Sequence, residues 1–309
     1  AVPRRAAFGP MSAKQARAKK EEALNEDPIA QRVARVVKIE KEGMENQLRQ
    51  YGFCEVNGFL GSEGRKLPDE IREQMVKLFQ GGFFEQESES DSSFKIGGYR
   101  FTNQDREHRF RAKIFGSPEE NQARTIERQF EVAPTVTKFV RSLVKSLSGA
   151  MREVTGGPIS SEIAMAEMVA MCGEGAQFQR RVNNVEGWNT ERGYVPDPRK
   201  LTVIYFANPN YRRELGGDLQ LEGVVTPTGC VSIAPVHDRL VMFWADKTVW
   251  SMRPCQATMI SEHQFFVQMH LLVQDPGKNI DYDPNRFTRW FPQLQDVPFQ
   301  ERVVVPGRG

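Results

Sequence analysis

Histidine, cysteine and catalytic motifs are scarce in this sequence. Its 309 residues include only four histidines and four cysteines. The cysteines form no CxxC pair, which fits neither a zinc knuckle nor a disulfide framework, so we expect reduced thiols. No histidine is followed two residues later by Asp or Glu, and GxSxG, GxxxxGK[ST] and HExxH are all absent. The sequence therefore offers none of these common nucleophile, phosphate-binding or metal motifs.

Net charge and long apolar runs are lacking as well. The chain has 42 Lys and Arg residues against 40 Asp and Glu residues, a net charge of +2. A strong basic field for nucleic-acid binding is therefore missing. No apolar run approaches the eighteen residues that a membrane-spanning helix needs. We expect neither a nucleic-acid partner nor a membrane span.

The first half of the chain shows helical periodicity around one early strand. Apolar residues from Ile29 to Leu48 predict an amphipathic helix, or two helices broken near Gly43. Residues 51–60 alternate as a strand does. Helices are further predicted at residues 68–79 and 125–154, and the polar residues 88–93 predict a loop.

The second half is a series of short strand-like runs separated by Gly and Pro turns. This pattern predicts an antiparallel sandwich, jelly roll or barrel. The last segment, residues 276–309, carries aromatic residues among prolines and charges with little periodicity. The predicted strands are residues 164–171, 201–207, 218–221, 230–234, 239–244, 248–253 and 264–273.

Five phrases of the sequence resemble one protein family. They are LRQYGFCEVNGFLG (48–61), SDSS (90–93), MVAM (168–171), LTVIYFANPNYRRELGGDLQL (201–221) and IAPVHDRLVMFWAD (233–246). Together they are similar to the prolyl 4-hydroxylase branch of the iron(II) and 2-oxoglutarate-dependent oxygenases, in particular the oxygen-sensing prolyl hydroxylases.

The resemblance implies an α+β fold that is mainly β, a double-stranded β-helix (jelly roll) supported by N-terminal helices. The organisation expected from it is a charged arm over residues 1–43, an oxygenase-like domain over 44–275 and an extended tail over 276–309.

The metal ligands of that family are not matched here. The family holds iron(II) with two histidines and one carboxylate. The resemblance places Arg181 at the first histidine, Asn183 at the carboxylate and Trp250 at the second histidine. A guanidinium and an indole N–H only donate hydrogen bonds, and an amide adds no negative charge. All three ligand positions are therefore degenerate.

The 2-oxoglutarate positions are degenerate too. The family uses a basic residue for the distal carboxylate, and an ungapped alignment places Met259 there, whereas a five-residue gap places Gln264 there. No Lys or Arg occurs between Arg253 and Lys278. A tyrosine that commonly reaches the cosubstrate is replaced by Cys172. We therefore expect no metal, no cofactor and no catalytic residue.

These replacements predict a pseudoenzyme that serves as a structural or scaffolding subunit of a larger protein assembly. Trp250 is expected to plug the old pocket, and the rival interpretation is a reused pocket in which Arg181 holds an anion. Two functional alternatives stay open: a proline-peptide-binding module without catalysis, and an active prolyl 4-hydroxylase with an unconventional metal site.

Three extensions are candidates for binding other protein subunits. They are the N-terminal arm, the 185–200 loop with Trp188 and Tyr194, and the tail with Trp290 and Phe291. The first twenty residues carry no acid and resemble a processed organelle import sequence, for a plastid before a mitochondrion. A disordered basic arm on a cytoplasmic protein is the alternative.

Overall fold

The computed structural model describes three α-helices, a short 3-10 helix (Arg213–Leu215) and thirteen strands within residues 27–61, 66–86, 93–96, 99–102, 108–114, 131–163, 165–173, 175–184 and 198–274. The helices are α1 (Pro28–Tyr51), α2 (Lys66–Gln80) and α3 (Pro134–Ala150). None of them is long and apolar enough to cross a lipid bilayer. The strands are β1 (Phe53–Asn57), β2 (Glu85–Gln86), β3 (Ser93–Ile96), β4 (Tyr99–Thr102), β5 (Arg109–Lys113), β6 (Ala166–Met171), β7 (Ala176–Arg181), β8 (Arg199–Phe206), β9 (Leu219–Glu222), β10 (Cys230–Ile233), β11 (Arg239–Trp244), β12 (Val249–Cys255) and β13 (Gln264–Leu272).

Helix α1 is continuous and well capped. The Asp27 carboxylate accepts a hydrogen bond from the Ile29 N–H at 2.9 Å, and Gly52 ends the helix with a φ of 85°. Gly43 occupies an exposed position and does not break it. The division expected between residues 43 and 44 falls inside this helix, and buried residues on both sides of Gly43 pack into the same core.

Two antiparallel sheets form the double-stranded β-helix that the resemblance predicts. The larger sheet has seven strands in the order β1-β11-β8-β13-β6-β5-β2, and the smaller has four in the order β10-β9-β12-β7. Strands β3 and β4 form a separate hairpin. The α+β jelly roll is confirmed.

Alternation along the strands divides the core into two clusters. In β8, Val203 and Tyr205 pack with the helices on the outer face of the larger sheet. Ile204 and Phe206 point the other way and pack with residues of the smaller sheet. The inner face of the larger sheet, which faces the smaller sheet, is therefore where a functional site of this fold would lie.

Most predicted elements overlap observed ones, but five strands were not predicted: β2, β3, β4, β5 and β7. All seven predicted runs of the second half coincide with strands to within a few residues, and the third helix covers residues 134–150 of the predicted range. The missed strands β5 and β7 are polar and cationic, so they lack the apolar alternation that predicts a strand. Residues 88–92 of the loop predicted over 88–93 lie outside the described residues, and Ser93 begins β3.

Candidate functional site

A cavity of about 460 Å³ opens between the two sheets. Strands β5, β6 and β13 of the larger sheet form one wall, and β7 and β12 of the smaller sheet form the other. Arg181, Asn183 and Trp250, the three degenerate ligand positions, all line it. Sequence reasoning had placed them together only through the resemblance, whereas here the packing of the sheets brings them together.

Arg181 and Trp250 lie directly opposite each other on neighbouring strands. They are register partners in the antiparallel pair of β7 and β12. Trp250 is only 1% exposed, and its ring centroid lies 5.3 Å from that of Phe178 and 6.3 Å from that of Phe243. The indole therefore forms part of a packed aromatic wall at the edge of the cavity.

The Arg181 guanidinium is held against aromatic rings. Its Cζ atom lies 5.1 Å from the ring centroid of Phe178 and 5.6 Å from that of Trp250. Its Nε atom donates a hydrogen bond to the Gln179 carbonyl at 3.3 Å. Cation–π attraction of this kind favours a charged guanidinium near an aromatic face. The arginine therefore projects a fixed positive charge at the cavity wall.

Asn183 belongs to a short hydrogen-bond chain. Its amide Nδ2 donates to the Thr202 hydroxyl at 2.7 Å, and that hydroxyl lies 3.2 Å from Nδ1 of His270. Burial, together with the Arg199 guanidinium, lowers the pKa of His270 to about 3. The imidazole is therefore neutral near pH 7, so its Nδ1 can accept the hydrogen bond of the Thr202 hydroxyl.

Strand β5 adds cations that sequence reasoning missed. Residues 109, 111 and 113 alternate with their neighbours, so one sheet face carries Arg109, Arg111 and Lys113, and all three line the cavity. Arg109 is 1% exposed; its Nη1 donates to the Gln177 carbonyl at 2.6 Å. Its Cζ atom lies 4.2 Å from the Phe178 ring centroid, so it bridges the two sheets.

Acidic residues are outnumbered in the described wall of the cavity. Arg199 on β8 joins the four cations already named, and Glu167 on β6 is the acid among the described lining residues. Arg111 Nη1 lies 3.6 Å from a Glu167 carboxylate oxygen. The RFRAK sequence of β5, with a cation at every second position, is the signal that could have predicted this surface.

Two buried polar atoms of the wall have no hydrogen-bond partner among the described residues. They are Nε1 of Trp250 and Oε1 of Gln268, whose residues are 1% and 7% exposed. Both residues line the cavity. A buried donor or acceptor left unsatisfied costs about 1–3 kcal/mol, so each of these atoms is a place where a bound molecule would gain a hydrogen bond.

The two degenerate 2-oxoglutarate positions do not join the cavity. Met259 lies before β13 and is 57% exposed, and half-buried Cys172 packs against the helix-side core. Gln264, the position given by the gapped alignment, begins β13 opposite Met171. Its Nε2 donates to the Gly216 carbonyl at 2.7 Å, and a β-carbon added to Gly217 would lie 2.0 Å from its Oε1.

The four aromatic residues predicted to bind partners cannot be placed. Trp188 and Tyr194, from the 185–200 loop, lie outside the described residues. Trp290 and Phe291 of the tail do so as well.

Iron(II) and 2-oxoglutarate do not fit the residues present. The ligand positions hold a guanidinium, an amide already bonded to Thr202 and an indole, and only the amide oxygen has a usable lone pair. Within the described residues, no group of three or more His, Cys, Asp and Glu side chains could hold a metal ion. Between the sheets, apolar side chains such as Phe206, Phe243 and Phe266 fill the interior.

Comparisons with known proteins agree with this fold. No family model matches the chain. Egl nine homolog 1 of Rattus norvegicus is 23% identical over 257 residues, covering 78% of this chain and 65% of that protein. The human protein of the same name is 25% identical over 221 residues, covering 68% of this chain and 42% of its own length. This chain thus spans less than two thirds of these relatives.

A solved structure is similar over most of the described fold. It is a prolyl hydroxylase from Trichoplax adhaerens in complex with a hypoxia inducible factor oxygen degradation domain peptide fragment. It is 24% identical, covers 80% of this chain and 93% of that one, and superposes with a TM-score of 0.56. The chain therefore resembles the prolyl hydroxylases and has the jelly-roll fold of 2-oxoglutarate oxygenases.

Proposed function

We propose that this protein keeps the prolyl hydroxylase fold without its oxygenase chemistry and serves as a structural subunit of a larger protein assembly. The observation that carries the proposal is the pairing of Arg181 with Trp250 across β7 and β12. The resemblance places the two residues at histidine positions of the family, and neither side chain has a lone pair to offer a metal ion.

The supply of carboxylates supports the proposal independently of the alignment. Among the described residues that line the cavity, Glu167 is the one carboxylate, and its oxygen lies 3.6 Å from Nη1 of Arg111. The iron(II) site of the family needs two histidines and a carboxylate together. The described lining brings no such set together.

The packing of the interior supports a structural role. Trp250, Phe178 and Phe243 form one aromatic group inside the inter-sheet cluster. Burying large aromatic side chains contributes to stability, and here they occupy the region in which the family holds its metal. The substitutions therefore add packing to the domain at the positions where the family has metal ligands.

The partner contacts belong to this proposal as well. We assign them to the N-terminal arm, to Trp188 and Tyr194 of the 185–200 loop, and to Trp290 and Phe291 of the tail. Aromatic residues are frequent anchors of protein interfaces. The assembly is proposed to be organellar on the basis of the basic, acid-poor first twenty residues.

A thermal-shift titration tests the loss of oxygenase chemistry. Purified protein is titrated with manganese(II), with and without 2-oxoglutarate, and succinate formation is measured with iron(II). A ligand at about one hundred times its dissociation constant stabilises a protein by roughly 2.7 kcal/mol, which such a titration detects. We expect no thermal shift that depends on manganese(II) and 2-oxoglutarate together, and we expect no formation of succinate. A shift requiring both, or turnover, would contradict the proposal.

A variant that restores the ligand set is the matched control. It combines Arg181→His, Asn183→Asp and Trp250→His, and manganese binding by this variant alone would attribute the loss to these three positions. For the subunit role, Trp290→Ala with Phe291→Ala is compared with Val225→Ala, which alters an exposed apolar residue between β9 and β10, outside the three proposed binding segments. We expect only the tail variant to lose co-purifying proteins at unchanged melting temperature.

A further inference from the structure

We propose that the cavity between the sheets binds a small uncharged molecule that carries a carboxamide group, through Gln268 and His270 of β13. The inference goes beyond the proposed function, which requires no small-molecule ligand. The site consists of uncharged hydrogen-bonding groups, and the cations of the wall are not part of it.

An acceptor and a donor lie side by side on one strand. Gln268 and His270 are two residues apart on β13, so both side chains project from the same face of the strand, and both line the cavity. Two residues of a strand span about 7 Å, which is close enough for one small molecule to contact both side chains. The pair therefore forms the centre of the proposed site.

The acceptor is Oε1 of Gln268. This residue is 7% exposed, and its Oε1 has no hydrogen-bond partner among the described residues. A buried oxygen without a donor is unfavourable, so a ligand N–H at this position gains a hydrogen bond that the protein itself does not supply. An ionised carboxylate has no hydrogen to donate and is disfavoured at the same place.

The donor is Nε2 of His270. The Thr202 hydroxyl accepts a hydrogen bond from Nδ2 of Asn183 at 2.7 Å and lies 3.2 Å from Nδ1 of His270, to which it can donate. The pKa of His270, lowered to about 3 chiefly by burial, keeps the ring neutral near pH 7. A neutral imidazole that accepts at Nδ1 carries its proton on Nε2. The hydrogen-bond chain thus favours the tautomer in which Nε2–H can donate to a ligand oxygen.

A carboxamide is the chemical group that matches this pair. Its oxygen accepts and its N–H donates, and the two atoms are held in one plane about 2.3 Å apart. A single carboxamide can therefore accept from His270 and donate to Gln268 with little internal rotation to lose on binding. A hydroxyl group offers both functions on one freely rotating atom, which has to be ordered when it binds.

The rest of the wall sets the size and the polarity of the ligand. The cavity volume of about 460 Å³ lies within the range of small-molecule sites, roughly 300–1,000 Å³. Val169 and Phe178 contribute apolar surface that suits a carbon skeleton. Trp250, on the other sheet, adds a second buried donor, because its Nε1–H has no partner among the described residues. A ring that bears a carboxamide meets these conditions.

Titration followed by ligand-observed NMR in EDTA tests the proposal with four pyridine probes. Nicotinamide carries the carboxamide, and N,N-dimethylnicotinamide keeps the oxygen but lacks the N–H. Nicotinate replaces the amide with a charged carboxylate, and 3-pyridinemethanol replaces it with a hydroxyl. We expect nicotinamide to bind with a dissociation constant of about 1 mM, a value typical of molecules this small, and the other three to bind at least about fivefold more weakly.

Variants locate the binding and separate hydrogen bonding from size. Gln268→Met removes the acceptor at similar volume, so the affinities of nicotinamide and N,N-dimethylnicotinamide for this variant should differ by less than about twofold. His270→Phe keeps a ring and removes the donor, so it should weaken nicotinamide binding about fivefold or more. The matched control is Gln256→Met, the same change at an exposed residue outside the cavity lining, and it should bind the probes as the wild type does.

The wild-type comparison decides the proposal even if a variant fails to fold. Nicotinamide binding weaker than about 10 mM, or equal or tighter binding of any other probe, would overturn the carboxamide site. A preference for nicotinamide that Gln268→Met leaves unchanged would overturn it as well. The proposed function would stand in each case, because metal binding and succinate formation test it separately. Nicotinamide binding in EDTA that His270→Phe weakens, with the preference abolished in Gln268→Met, would support the site.

Discussion

The molecule contains two buried polar regions that differ in how completely their hydrogen bonds are satisfied. In one, the Asp238 carboxylate accepts hydrogen bonds from the Leu60 N–H at 2.9 and 3.1 Å, the Gly61 N–H at 3.1 Å and the Tyr205 hydroxyl at 2.9 Å. In the other, the cavity, Nε1 of Trp250 and Oε1 of Gln268 lack a partner among the described residues.

The difference shows which buried polar groups support the fold. Asp238 adopts a φ of 55° and ties the residues after β1 to the turn that precedes β11, so its satisfied network holds the fold. Burial raises the pKa of Asp238, and the three donor groups oppose that rise. At the cavity wall, the unsatisfied indole N–H gives no such support, so Trp250 contributes to folding through the packing of its ring.

Trp250→Ala should give the largest effect and sharpen this comparison. If the aromatic rings of the cavity wall contribute to folding, then removing the buried indole lowers the free energy of unfolding by about 3–5 kcal/mol. Trp250→Phe keeps most of the ring and removes an unsatisfied donor, so it should cost less than about 1.5 kcal/mol. Urea denaturation measures both values.

Equal losses for the two substitutions would break the comparison. They would mean that the indole N–H, and not the ring, supports the fold. A loss below about half a kcal/mol for Trp250→Ala would instead show that the tryptophan is not packed in the inter-sheet cluster.

Asp238→Asn should give the second largest effect, because it tests the satisfied region. The amide keeps one acceptor oxygen but turns the other oxygen into a donor facing backbone N–H groups. We expect a loss of about 2–3 kcal/mol in the free energy of unfolding. Asp69→Asn is the control, since its carboxylate is 55% exposed and pairs with His237. A loss of the same small size in both variants would show that the Asp238 network is dispensable.

The fold could be predicted from the sequence largely because its apolar strands are regular. Strand β11 was predicted with its observed limits, and β13 within one residue, since both alternate or run apolar between clear turn signals. Helix α1 was predicted as one helix or as two. In the structure it is one continuous helix, in which Val37 and Met44 pack into the same core. Periodicity thus located these elements but could not decide their continuity.

The candidate site could be predicted only in part. Arg181 and Trp250 were identified by resemblance, but their contact depends on the register of β7 and β12, which local sequence does not specify. The cations of β5 were missed because RFRAK has only one strongly apolar residue, a composition that is typical of an exposed segment. Their place in the cavity follows from pairing with β6, a contact between segments more than fifty residues apart.

A dependence of stability on pH should be the smallest effect, and it tests the hydrogen-bond chain at the cavity wall. His270 has a pKa lowered from 6.5 to about 3 in the folded protein, so between these values the unfolded chain binds the additional proton. The contribution of His270 to the free energy of unfolding should therefore be fully present above about pH 6.5 and should decrease as the pH drops toward 3. Between pH 7 and 5 this contribution amounts to about 1–2 kcal/mol.

His270→Asn isolates that contribution. An asparagine side-chain oxygen can still accept a hydrogen bond from the Thr202 hydroxyl, but it cannot gain a proton between pH 7 and 5. Other groups of the protein titrate in both forms, so the measured quantity is the difference between the two stability curves from pH 7 to 5. We expect the wild type to lose about 1–2 kcal/mol more than the variant. Parallel curves would mean that the imidazole is charged or solvated in the folded state. The neutral acceptor that completes the chain from Asn183 would then be absent, and the cavity wall would carry one more positive charge than described.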